Sequence, residues 1–223
     1  MAYPVISGPY GFKPVNLIGG QVFSGSTRYM PIAYGYNTNI FYGDFVQLSS
    51  GYVNILANTI TGNAAVGVFL GCTFTNPVTK QKLFSQYWPA GTLAGDAQAI
   101  ICDDPDTVFK TAVVTAAGTA TIASASSLLV GQNMAGNTST GSTATGDSAG
   151  GVVAASSSAG NANTGDSGVS VVLPTAGAGN ASTLPVKVVS VVPETAVNAT
   201  NFTEVLVVLT NPQLSVAAGN DYA

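Results

Sequence analysis

The chain has 223 residues, 46% of them hydrophobic and only 7% charged, with a formal net charge of -4. That length buries a real core in one large or two small domains, while six basic residues spread from Lys13 to Lys187 make no patch for a nucleic-acid backbone. No apolar run approaches the ~20 residues that span a bilayer, and a surface so poor in charge suits a member of an assembly.

Residues 1–35 carry Pro4, Pro9, Pro14 and Pro31 among six glycines, interleaved with Tyr3, Tyr10, Phe12, Phe23, Tyr29 and Tyr34. Proline and glycine at this density break regular structure, yet six aromatics are too many for a solvated linker. The expectation is an extended arm docked on a partner, with Tyr3, Pro4, Tyr10, Phe12, Phe23 and Arg28 as its contacts. The alternative is an arm that folds back on its own sheet. Met1 to Gly20 has neither a basic start nor an apolar centre, so no secretory signal is expected.

From Tyr36 to Thr75, runs rich in β-branched and aromatic residues alternate with Gly, Asn and Ser. Ile40 to Leu48, a Ser49-Ser50-Gly51 turn, Tyr52 to Leu56 and Val66 to Phe74 read as consecutive antiparallel strands, a meander. Period two in the third run sets Val66, Val68, Leu70, Cys72 and Phe74 against Gly67, Phe69, Gly71 and Thr73. Two glycines flanking one Phe predict a sharp bend or a close backbone approach, hence a small barrel or a strongly coiled sheet. Lys80 to Trp88, Ala97 to Cys102 and Thr107 to Thr115 add three strands, the last two joined by the Asp103-Asp104-Pro105-Asp106 turn. Trp88 either anchors an interface or fills the barrel.

Seventeen of the 19 aromatics lie at or before Phe109, which places a domain boundary near residue 115. The expected division is an arm at 1–35, a barrel or meander domain at 36–115 and an Ala/Ser/Thr/Gly-rich, sandwich-like β region at 116–223. Within the last, Leu128 to Val130, Val152-Val153 and Val169 to Leu173 predict short strands between long polar loops. Pro185 to Val192 and Phe202 to Thr210 are apolar on both faces, so they belong at the centre of a sandwich or at a subunit interface. Val189, Val191, Val205, Val207 and Leu209, with Trp88, are the interface candidates.

Gly146-Asp147-Ser148 and Gly165-Asp166-Ser167 resemble a serine-hydrolase loop, but the chain has no histidine to take the serine proton. They read as polar turns, and no catalytic residue, cofactor site or metal site is expected. Asp103, Asp104 and Asp106 lack the spacing of a calcium loop. Asp44 reads as a turn-capping aspartate in preference to a catalytic acid, and Cys72 and Cys102 as reduced core thiols, with a single disulfide as the alternative.

The Ile-Phe-Tyr-Gly-Asp-Phe-Val run at 40–46 and Val-Gly-Val-Phe-Leu-Gly-Cys at 66–72 resemble the small virion structural proteins of short-tailed marine and freshwater phages. The resemblance continues through Gln86 to Thr92, Asp103-Asp104-Pro105, Leu184 to Val189 and Phe202 to Val205. It implies a head decoration, or cement, protein on the capsid exterior, bound to the major capsid protein. The expected state is a homo-oligomer, trimer before dimer, with no nucleic-acid or membrane partner. A tail or fibre subunit and a Gly-Asp-Ser hydrolase are the alternatives.

Overall fold

A computed structural model of the chain describes residues 6, 8–56, 65–114, 127–134, 136–137, 165–173, 184–196 and 202–210. Among these, the strands in chain order are β1 (Lys13–Leu17), β2 (Arg28–Pro31), β3 (Phe45–Ser49), β4 (Tyr52–Ile55), β5 (Gly67–Thr75), β6 (Lys82–Ser85), β7 (Gln98–Cys102), β8 (Thr107–Val114), β9 (Asn133–Met134), β10 (Gly136–Asn137), β11 (Ser170–Val172), β12 (Val186–Val191) and β13 (Glu204–Leu209). The only described helical turns are short 3-10 segments, Ser127–Leu129 and Pro193–Thr195. The protein is all-β, as the residue patterns predict.

The strands form two sheets, neither closed into a barrel. In the first, the order is β10-β11-β8-β13-β12-β9, and β1 also pairs with β8. The edge of β8 opposite β13 is shared: β1 takes residues 107–110 in antiparallel register, and β11 takes Val113 and Val114 in parallel. The second sheet runs β2-β7-β5-β3-β4, and β5 shares one edge between β3 at its start and β6 at its end. Its end strands β2 and β4 approach one another without a ladder between them, so the sheet is coiled but open. Of the two predicted forms, the barrel is therefore replaced by the coiled sheet, and the expected meander is corrected: β5 pairs with β3 rather than with β4, which takes the other edge of β3.

Gly67 and Gly71 produce that coil. A Cβ on Gly67 would lie 2.5 Å from the Cys102 carbonyl oxygen, so only hydrogen permits β7 to come so close. The β5–β7 register shifts between Phe69 and Gly71, a bulge that inverts the alternation. Val68 consequently enters the core between the sheets, while Phe69, Cys72 and Phe74 enter a second core inside the coil. The single five-residue face expected from Val66 to Phe74 is split by this bulge. The two thiols are free, buried and assigned to different cores, Cys72 inside the coil and Cys102 between the sheets.

The predicted boundary at residue 115 does not separate the sheets. β8, written before it, is flanked by β13 and β11 from beyond it. The core between the sheets joins Phe45, Val68 and Cys102 of the second sheet to Phe109, Val171, Val186, Val205 and Val207 of the first. Leu128 to Val130 is a 3-10 turn rather than a strand, and Val152-Val153 lies outside the described residues.

The arm is corrected in the same way. Phe12 is fully buried, its ring centroid 4.4 Å from that of Phe45 and 6.4 Å from that of Phe109. Tyr10 packs over the outer face of the first sheet with Ile6, against Ala112, Val114 and Phe202. Phe23 packs half-buried on the intersheet core. The alternative holds, with the arm folding back on its own sheets, because an isolated β8 edge leaves backbone groups that Lys13 to Leu17 satisfies. Tyr3 and Pro4 lie outside the described residues.

Candidate functional site

Three segments far apart in sequence meet where the arm crosses between the sheets. Residues 41–44 form a tight turn, in which the Asp44 amide donates to the Phe41 carbonyl and the Phe41 amide donates to Asp44 Oδ2 at 2.7 Å. Asp44 therefore caps its own turn, as expected. Its other carboxylate oxygen accepts the Ser167 hydroxyl, which in turn accepts the Val169 amide at 3.0 Å. Tyr42 and Asp166 are bridged in parallel, with the Ser167 amide donating to the Tyr42 carbonyl and the Tyr42 amide to the Gly165 carbonyl.

The arm closes the junction from the other side. The Gly11 amide donates to the Val169 carbonyl and the Phe12 amide to the Gly43 carbonyl. Gly43 has φ +92, and a Cβ there would stand 2.7 Å from the Phe12 nitrogen, so this crossing is open to glycine alone. Asp44 and Ser167 are both wholly buried. The buried bond from Ser167 to Asp44 ties together segments 123 positions apart. The sibling turn with Asp147 and Ser148 lies outside the described residues.

A second polar group pins the arm further along. The Tyr10 hydroxyl donates to the Glu204 carboxylate, which also pairs with Lys110 Nζ at 3.1 Å. Lys13 and Lys110 stand 5.1 and 5.8 Å from the centroid of the Tyr10 ring, within cation–π reach. Burial first, then the hydrogen bond and charge of Glu204, push the Tyr10 phenol well above its ordinary value, so it stays a donor. Arg28, 60% exposed, pairs with Asp103 at 3.0 Å. The Asp turn closes on itself, the Asp106 amide donating to Asp104 Oδ1, and no metal-ligating cluster occurs among the described residues.

The interface candidates divide. Trp88 is fully buried inside the coiled sheet, its indole N–H donating to the Tyr36 carbonyl at 3.1 Å and its ring edge-on to Phe74. It fills the coil and offers nothing to a partner. Val205, Val207 and Leu209 face the intersheet core, Val191 packs half-buried against it, and Val189 is half-buried. The double-sided apolarity of the last strands thus belongs to the centre of a sandwich.

Beside the junction lies an open cleft of about 580 Å³, lined by residues of β5, β6 and β7 together with Lys13, Tyr42 and Asp166. Its lining includes apolar Leu70, Ile100 and Phe84 and polar Lys13, Tyr42, Gln86 and Asp166. Asp166 Oδ1 accepts Gln86 Nε2 at 3.2 Å and pairs with Lys13 Nζ at 3.5 Å. Burial, then the Asp166 charge, raise the Tyr42 phenol, keeping it protonated. Sequence reading missed this group, since its residues come from the arm, the meander, β6 and a loop near residue 166, and no spacing unites them.

No family model matches the chain, and no curated protein or solved structure is significantly similar to it.

Proposed function

We propose that the protein is a non-enzymatic component of a phage particle, a head decoration protein on the capsid exterior that binds the major capsid protein. Motif resemblance suggests the class, and one structural observation supports it. On a surface with few charges, large apolar side chains outside the cleft stand in solvent: Val22 is 81% exposed, Val78 84% and Leu128 80%. Burying each on a partner is worth about 1.5 to 3 kcal/mol, so a partner that covers several of them gains more than a charge-poor surface offers otherwise.

The proposal includes self-association, trimer before dimer. Its surface is the exposed set together with half-buried Val189, since Val205, Val207 and Leu209 point inward. Mixing purified protein with particles that lack it is the test. The expected result is saturable binding to heads in many copies and a higher temperature for head disruption. Binding confined to tails, or no binding to particles, would overturn the proposal.

A further inference from the structure

We propose that the cleft bounded by Phe84, Tyr42 and Gln86 binds a neutral saccharide chain. Phe84 lies on β6 opposite Thr73 and is 78% exposed, so its ring is an aromatic plate held at the mouth by a hydrogen-bonded strand. A sugar ring has an apolar C–H face and a rim of hydroxyls, and it needs both kinds of surface side by side. Leu70 and Ile100 add apolar lining.

In the same lining, a tyrosine hydroxyl (Tyr42) and an amide (Gln86) are groups that can both donate and accept, which suits hydroxyls that do the same. Lys13 and Asp166 pair at 3.5 Å, and their charges cancel. The lining has no net field to draw an anion or a cation. It is also set before any ligand arrives, because the Tyr42–Asp166 bridge fixes the backbone and Gln86 fixes the carboxylate, which lowers the ordering cost of binding. The cleft is open along one side, so it fits a stretch of a longer chain rather than an enclosed small molecule. Saccharide binding is separate from capsid binding and does not rest on it.

The test titrates the intact protein with maltohexaose, cellohexaose, xylohexaose and mannohexaose, followed by amide NMR shifts, with polygalacturonate as the charged control. Saturable shifts around Gln86 and Ile100 with at least one neutral hexaose are expected, equal at low and high salt. Phe84→Ala should weaken them at least about tenfold, and Gln86→Ala should weaken them too, while Phe84→Trp keeps them. Both positions are exposed, so an unchanged melting temperature shows that the fold is intact. Failure of every neutral hexaose, undiminished binding by Phe84→Ala, or binding only of polygalacturonate with salt dependence would each overturn the proposal. A hydrophobic strand peptide or a second copy of the chain occupying this face in place of sugar would do the same.

Discussion

The core inside the coiled second sheet takes every buried residue from one stretch, Met30 to Ile101. The core between the sheets instead gathers Phe12, Phe45, Phe109, Met134, Val171, Val186 and Val207 from nearly the whole chain. The first is filled by large rings and branched chains around Trp88; valine supplies half of the second, and Phe12 and Phe23 of the arm pack into it. A core of neighbouring segments closes small loops, whereas the intersheet core must bring together residues separated by most of the chain before it gains anything. The two are nonetheless joined, since β5 sends Val68 to one and Phe69 to the other. That coupling predicts that the only tryptophan, inside the coil, and far-ultraviolet dichroism report one coincident unfolding transition.

The comparison is broken most severely at Trp88. Trp88→Ala empties the centre of the coil and removes one of the two donors to the Tyr36 carbonyl, which keeps the Gly91 amide, so unfolding by denaturant should show a loss of about 3 to 5 kcal/mol. Phe12→Ala attacks the other core and should cost about 3 kcal/mol or slightly more. Deleting residues 1–12 should destabilise further, because the Tyr10–Glu204 bond and the backbone bonds of Gly11 and Phe12 go with it. A truncated protein as stable as the full chain would show that the arm is a free appendage.

Smaller effects sharpen the contrast. Ser167→Ala strips the buried Asp44 carboxylate of one donor, and about 1 to 3 kcal/mol should be lost in thermal unfolding. Serine-directed phosphonates should leave Ser167 unlabelled in folded protein, since it is wholly buried.

The smallest effect lies at the surface. The Thr75 amide, then its hydroxyl and Lys82, hold the Asp96 carboxyl below the ordinary range. The folded state thus favours the charged form, so this contribution is complete above the usual carboxylate pKa of about 4 and vanishes as pH falls through the lowered value. Asp96→Asn should slightly flatten the acid side of a stability profile measured by denaturant midpoint.

Local pattern was enough for the strands. Alternation and turn residues located β3 to β8, β12 and β13, because strand geometry is written with period two and Gly, Ser, Asp and Pro punctuate it. β1 and β2 escaped notice inside a segment whose prolines argued against any ladder, yet Pro14 and Pro31 both sit within paired strands. The bulge in β5 was foreshadowed by its glycines, but its effect, exchanging one face for the other, depends on how β7 lies against it.

Asp44 was legible as a cap, and Ser167 as part of a turn; that each completes the other was not. The cleft left no trace in the sequence for the same reason. By itself the sequence determined an all-β chain with a sharply bent third strand and valine strands fit for a sandwich centre or an interface; it left open whether Trp88 fills the core and whether the first strands close into a barrel. The tertiary structure alone decided that the arm belongs to the core, that β8 joins the second half, and that Phe84, Tyr42, Gln86 and Asp166 line one cleft. Periodicity is a property of neighbouring residues, whereas pairing across the chain is chosen by which buried surfaces and backbone groups find complements, and one-dimensional spacing does not encode that choice.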